Sequence, residues 1–75
     1  MTSLLSVKPY KLFKALRKSG FYVHHQTGSH LVLKHSGDAT KRVILPMHKK
    51  ELKTGTLRSI LAQAGITPEE LKKLL

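Results

Sequence analysis

The chain is 75 residues long and 40% apolar, and its fourteen Lys and Arg against four Asp and Glu give a formal net charge of +10. That is room for one domain, expected to span residues 1–75, and a domain of this size buries only about 60% of the surface its unfolded chain exposes. The apolar content excludes a disordered chain, the lack of cysteine excludes disulfides and a thiolate zinc site, and no run approaches the roughly 18 apolar residues of a membrane span.

Charge this one-sided attracts polyanions, and neutralised phosphates release condensed counterions, so nucleic acid leads the partner classes. A basic surface that only aids solubility is the competing reading, and it leaves the cost of self-repulsion without a return.

Residues 1–7 are uncharged and lack the basic start, apolar run and cleavage site of a leader, so a cytosolic location is expected. A helix is predicted from Pro9 to Gly20. Proline suits a first helical position, Leu12, Phe13 and Leu16 make one apolar stripe, and Lys11, Lys14, Arg17 and Lys18 lie around the other side. Gly20 supplies the left-handed stop. A strand over residues 21–25 sets Phe21 and Val23 against Tyr22 and His24. Residues 26–29 form a turn in which Gly28 tolerates positive φ. The strand over residues 30–35 puts Leu31 and Leu33 on one face and His30, Val32 and Lys34 on the other. A loop over residues 36–40 leads to a third strand over residues 41–45, which Pro46 ends.

A basic segment over residues 47–54 then precedes a helix capped by Thr56, with Leu57, Ile60, Leu61 and Ala64 at helical spacing and Gly65 closing it. Thr67-Pro68-Glu69-Glu70 is a capping box that opens a terminal helix running to Leu75. The order is α-β-β-β-α with an added short C-terminal helix, an α+β chain. Short links favour a three-stranded antiparallel meander. Each main helix has a single apolar stripe to bury, so both are expected on one face of the sheet, with the other face open to a ligand.

Gly28-Ser29-His30 is the sharpest chemical feature. It sets an imidazole at the start of the middle strand, on the less apolar face. Histidine gives and accepts protons near neutral pH. RNA cleavage needs both transfers, one from the 2′-hydroxyl and one to the departing 5′-oxygen, and nearby cations stabilise the charge that develops on phosphate. Ser29 is placed to orient the ring or a phosphate oxygen. A strand histidine is also commonly structural, and three residues alone do not decide between the two.

His24, His25, His35 and His48 raise a metal site as the rival. Zinc recruits ligands at stereotyped spacing, and Asp38, Glu51, Glu69 and Glu70 show none. Alternation sends adjacent His24 and His25 to opposite faces, so they are not expected to share an ion. No metal or other cofactor is expected. His24 is expected beside His30 on the open face. Lys49, Lys50, Lys53 and Arg58 crowd the approach to the second helix, whose amino end, at Gly55-Thr56, is a candidate phosphate seat. There is no P-loop, dinucleotide turn, nucleophile elbow or triad spacing. Tyr10, Tyr22, Phe13 and Phe21 are too few and too core-patterned for an aromatic platform, and Phe13 and Phe21 are expected in the core.

In order and spacing, Leu16-Arg17-Lys18-Ser19-Gly20-Phe21, Gln26-Thr27-Gly28-Ser29-His30, Pro46-Met47-His48 and the stretch from Lys50 to Gly65 resemble the HicA family of bacterial toxins, also called YcfA-like proteins. The resemblance implies a fold like the double-stranded-RNA-binding domain and a metal-independent endoribonuclease that cleaves mRNA to block translation and growth. It implies that His30 is the catalytic histidine and that a HicB-type antitoxin holds the toxin inactive. RNA or phosphate contacts are expected from Ser29, His24, His25, Lys34, Lys49, Lys50, Lys53 and Arg58, with Gly28, Gly55 and Thr56 shaping the turn and the helix entry. One position departs from the pattern: the family often carries Arg before the Gln of its glycine-turn motif, where this chain has His25. The same residues also fit a non-catalytic RNA-binding module, or an interaction protein whose basic sheet docks an acidic partner.

Overall fold

The computed structural model describes residues 6–75, so most of the opening segment, residues 1–5, lies outside the described residues. The elements run α1 (Pro9–Lys18), β1 (Phe21–Thr27), β2 (His30–His35), β3 (Arg42–Pro46), α2 (Thr54–Ala64) and α3 (Pro68–Leu74). This is the expected α-β-β-β-α order with its added helix, and an antiparallel sheet in the order β1-β2-β3. No helix among the described residues is long and apolar enough to cross a membrane.

Helix α1 starts with Pro9 in its first turn and buries Leu12, Ala15 and Leu16. Phe13 is only partly buried and packs against the rim of the core. The helix runs to Lys18, with Ser19 as its cap and Gly20, the expected left-handed stop, turning the chain at φ 96°. Strand β1 is longer than expected, because the turn is only two residues, Gly28 and Ser29. Gly28 takes φ 57°, and a glycine first in a two-residue loop follows the right-handed twist of the paired strands. Strand β3 starts one residue late and includes Pro46, which pairs with His30. Proline is tolerated there because β3 is an edge strand. The side chain of Gln63 in α2 accepts the Ile44 N–H at 3.2 Å, satisfying one donor on that exposed edge.

One core joins the layers. Leu33, Val43 and Leu45 of the sheet meet Leu12 and Leu16 of α1, Leu57, Ile60 and Leu61 of α2, and Leu71 of α3. All the helices therefore cover the Leu33 face. Helix α2 begins at Thr54, with Lys53 rather than Thr56 at its cap position and no side-chain bond capping it; Thr56 is already in the first turn. Gly65 ends it at φ 70° as expected. The capping box of α3 forms in full: Thr67 N–H donates to Glu70 Oε1 at 3.0 Å, and Glu70 N–H donates to Thr67 Oγ1 at 3.1 Å.

That box ties α3 to pH. The Thr67 backbone N–H, then its side chain, hold the Glu70 carboxyl below the ordinary carboxylate range. A carboxylate depressed in the folded state adds stability at neutral pH that is lost as pH falls through its folded value. Thermal melts from pH 7 down to pH 3 are expected to show a shallower loss for Glu70→Gln than for the parent chain. Parallel curves would remove Glu70 from the acid response.

His35 has a structural task. Gly37 N–H donates to its Nδ1 at 2.9 Å, so the ring carries its proton on Nε2 and donates to the Ser19 carbonyl at 2.7 Å. Its edge meets Phe21, the opposite residue on β1, with ring centres 4.9 Å apart. The imidazole thus clips the end of β2 to the end of α1. A Cβ at Gly20 would stand 2.9 Å from His35 Nε2, at a φ that side chains avoid. Gly20→Ala is expected to destabilise the fold by about 1–3 kcal/mol from backbone strain, plus the displaced clip, read as a lower urea midpoint. An unchanged midpoint would contradict this.

Candidate nucleic-acid interface

Paired residues on neighbouring strands share a face, so the strand register orders the face that no helix covers. One row across the sheet is Thr27–His30–Pro46, the next is His25–Val32–Ile44, and the last is Tyr22–Lys34–Arg42. Val32 is buried on this side, outside the main core cluster, flanked by those neighbours. The first row is more open, with Thr27 and His30 exposed and Pro46 half-buried; Ser29, His24 and His25 are exposed, and Lys34 in the last row is half-buried.

The middle row exists because β1 carries a bulge. Val23 pairs with Leu33, yet Val32 pairs with His25 rather than His24. The extra residue moves His25 onto the face of His30, and His24 stays with it: their Nδ1 atoms lie 2.7 Å apart and their ring centres 5.0 Å apart. This corrects the alternation that sent the two histidines to opposite faces, because simple alternation holds only where no residue is inserted. One ring must hold the shared proton and the other accept it. Val23 faces the helices through Leu33 but stays 39% exposed at the sheet edge. Among the described residues no group of three or more His, Asp and Glu comes together in a way that would hold a metal ion.

The hairpin also positions the basic segment that follows the sheet. Met47 N–H donates to the Ser29 carbonyl at 2.7 Å, so the chain leaves Pro46 alongside the Gly28-Ser29 turn. Beyond it lies an open cleft of about 530 Å³ lined by His48, Lys49, Lys50, Lys53 and Thr56, among others. The first-turn N–H groups of α2 border this cleft without a side-chain cap or an acidic residue in the turn, and the first backbone bond closing the helix is Leu57 N–H to the Lys53 carbonyl at 2.9 Å. Unpaired N–H groups at a helix start favour an anion. A Cβ at Gly55 would meet nothing within 4 Å, so the approach there is open.

The structure therefore gathers Lys49, Lys50, Lys53 and Thr56 around one cleft, with His48 among the residues that line it. Arg58 is exposed on α2 but does not line the cleft. Lys34 stands at the other end of the open face, four residues along β2 from His30, or about 13 Å at strand spacing. Arg42 and Tyr22 flank Lys34 on the neighbouring strands, a proximity that only the cross-strand register reveals.

The family model described as the HicA toxin of bacterial toxin-antitoxin matches residues 10–66. No curated protein matches the chain.

Proposed function

The chain belongs to the HicA toxin family of bacterial toxin–antitoxin systems, and from that premise we propose that it is a metal-independent endoribonuclease that cleaves mRNA. The observation that carries the proposal is the exposed His30 imidazole on a sheet face without helices, at the mouth of a tight turn, opposite the Pro46 that leads into the basic cleft. In this reading the imidazole takes the 2′-hydroxyl proton as the 2′-oxygen attacks phosphorus, and the bond to the 5′-oxygen breaks as that oxygen is protonated. The products are a 2′,3′-cyclic phosphate and a 5′-hydroxyl.

Two transfers call for two proton positions. The His24–His25 pair stands one diagonal step from His30 on the same face, at about 7–8 Å by sheet geometry. That spacing lets a ribose-phosphate unit lie between the imidazoles, each within the roughly 2.6–3.2 Å that proton transfer requires. His25 also takes the place of the family's Arg. Ser29 orients the phosphate at the turn. Lys49, Lys50, Lys53 and the start of α2 at Gly55-Thr56 hold the neighbouring backbone, with Arg58 adding to the field. A HicB-type antitoxin covers this face in the resting cell, and the site of action is the cytoplasm, where mRNA is translated.

The deciding experiment is incubation of the purified chain with mRNA in excess EDTA, with product ends identified. His30-dependent cleavage to cyclic-phosphate ends supports the proposal. RNA that is retained in a salt-sensitive manner but stays intact would favour a non-catalytic RNA-binding module instead.

A further inference from the structure

The end of the open face away from the hairpin carries a row of residues that the chemistry at His30 does not use. Lys34 and Arg42 are directly opposite on β2 and β3, and Tyr22 faces Lys34 from β1. Like charges at opposite positions destabilise a sheet, and the carboxylates do not relieve this pair. Asp38 accepts both the N–H and the hydroxyl of Thr40, Glu70 is held in the capping box, Glu69 lies in the first turn of α3, and Glu51 lines the cleft before α2. An unrelieved cation pair is suited to an external anion.

The aromatic neighbour narrows which anion. Tyr22 is 43% exposed, and among the described residues no other ring or cation packs on it, whereas Lys14 covers Tyr10 at 4.8 Å. Ile44, at 40% exposure, extends the apolar floor towards His30. A bare aromatic ring next to one cation, with a second cation one strand further on and an apolar floor at its edge, matches a nucleotide with its base unstacked. Paired bases in a duplex are not free to stack on a protein ring.

We propose that Tyr22, Lys34 and Arg42 form a subsite for one nucleotide of single-stranded RNA, with the base stacked on Tyr22 and its phosphate held between Lys34 and Arg42. The subsite lies about 13 Å along β2 from His30, so it grips the strand beyond the phosphate that is cleaved. Its place relative to the cut rests on the ribonuclease reading; its ability to bind does not.

A single-stranded 2′-O-methyl oligonucleotide tests it, because that probe has no 2′-hydroxyl to react and is inert to any chemistry at His30. The chain has two tyrosines, so Tyr10→Phe leaves Tyr22 as the only tyrosine reporter. Binding is expected to quench Tyr22 emission. Tyr22→Ala is expected to weaken binding roughly tenfold, as removal of one stacking seat does. Arg42→Gln is expected to flatten the salt dependence by about 0.7 in log–log slope, one phosphate contact on a single strand. Circular dichroism checks that both variants fold.

The subsite is overturned if Tyr22 emission does not respond, if folded Tyr22→Ala and Arg42→Gln bind like the parent, or if a duplex of the same sequence quenches and binds equally well. It is also overturned if a glutamate-rich peptide quenches Tyr22 and the oligonucleotide does not, an outcome that would assign the row to a protein partner. Quenching by the oligonucleotide in a chain that leaves natural RNA intact would sink the ribonuclease reading and keep the subsite. Cleavage through His30 without a Tyr22 response would do the reverse.

Discussion

Replacing His30 with alanine is expected to cut RNA cleavage by about 10²- to 10⁴-fold, the range that one positioned acid or base supplies, while the melting curve stays close to that of the parent chain. The fold should survive because His30 is exposed and lies outside the core cluster, and surface changes away from special features alter stability by only about 0.5 kcal/mol. Rate and stability are thereby separated, as they would not be for His35, whose Nε2 ties β2 to the Ser19 carbonyl at the end of α1 while its Nδ1 accepts the Gly37 N–H. RNA affinity should fall far less than the rate, because the cations around the cleft and at Lys34 and Arg42 remain. The measurement is single-turnover cleavage of a labelled transcript in EDTA alongside a thermal melt. Full cleavage by a folded His30→Ala chain would remove the residue from the chemistry, and attention would turn to the His24–His25 pair.

The largest effect on stability is expected from Leu33→Ala. Leu33 is fully buried at the middle of the central strand, between Val23 and Val43, and beneath the helices. Truncating a buried leucine costs about 2–5 kcal/mol, because the lost transfer energy is joined by a cavity that the surroundings only partly close. At a typical 0.05–0.15 kcal/mol per residue, the whole domain has roughly 4–11 kcal/mol to lose. The variant is therefore expected to lose a large share of its stability, read as a urea midpoint lowered by about a third or more. Val32→Ala is the matched control. It removes a valine from the opposite face of the same strand, outside the main cluster, and is expected to lower the midpoint less. Equal losses for the two would mean that the open face has a core of its own.

Much of this architecture was legible because it depends on neighbours a few residues apart. Pro9 could open a helix and not continue one. Gly28 and Gly65 could take positive φ without strain, and the Thr67–Glu70 reciprocity needs only three residues of helix. The alternation of Leu31 and Leu33 against His30, Val32 and Lys34 correctly assigned the faces of β2. Hence the position of His30 on the open face was already implied by its own strand. Thr56 misled as a cap because a threonine near a helix start suits either the cap or the first turn, and the helix begins two residues earlier, at Thr54.

Relations between strands are another matter. A one-residue slip moves a whole side-chain set to the opposite face, and the bulge at His24 is such a slip confined to half of one strand. Nothing in Val23-His24-His25 marks which of the histidines faces Val32; the choice belongs to β2, to which the strand must pair. The same holds for the Tyr22–Lys34–Arg42 row, residues that are distant along the chain and brought together by strand pairing. Short-range chemistry was thus enough for the elements, their ends and the face of the central imidazole. The company that imidazole keeps came from long-range contacts, because only the folded sheet fixes which side chains stand next to one another across its strands.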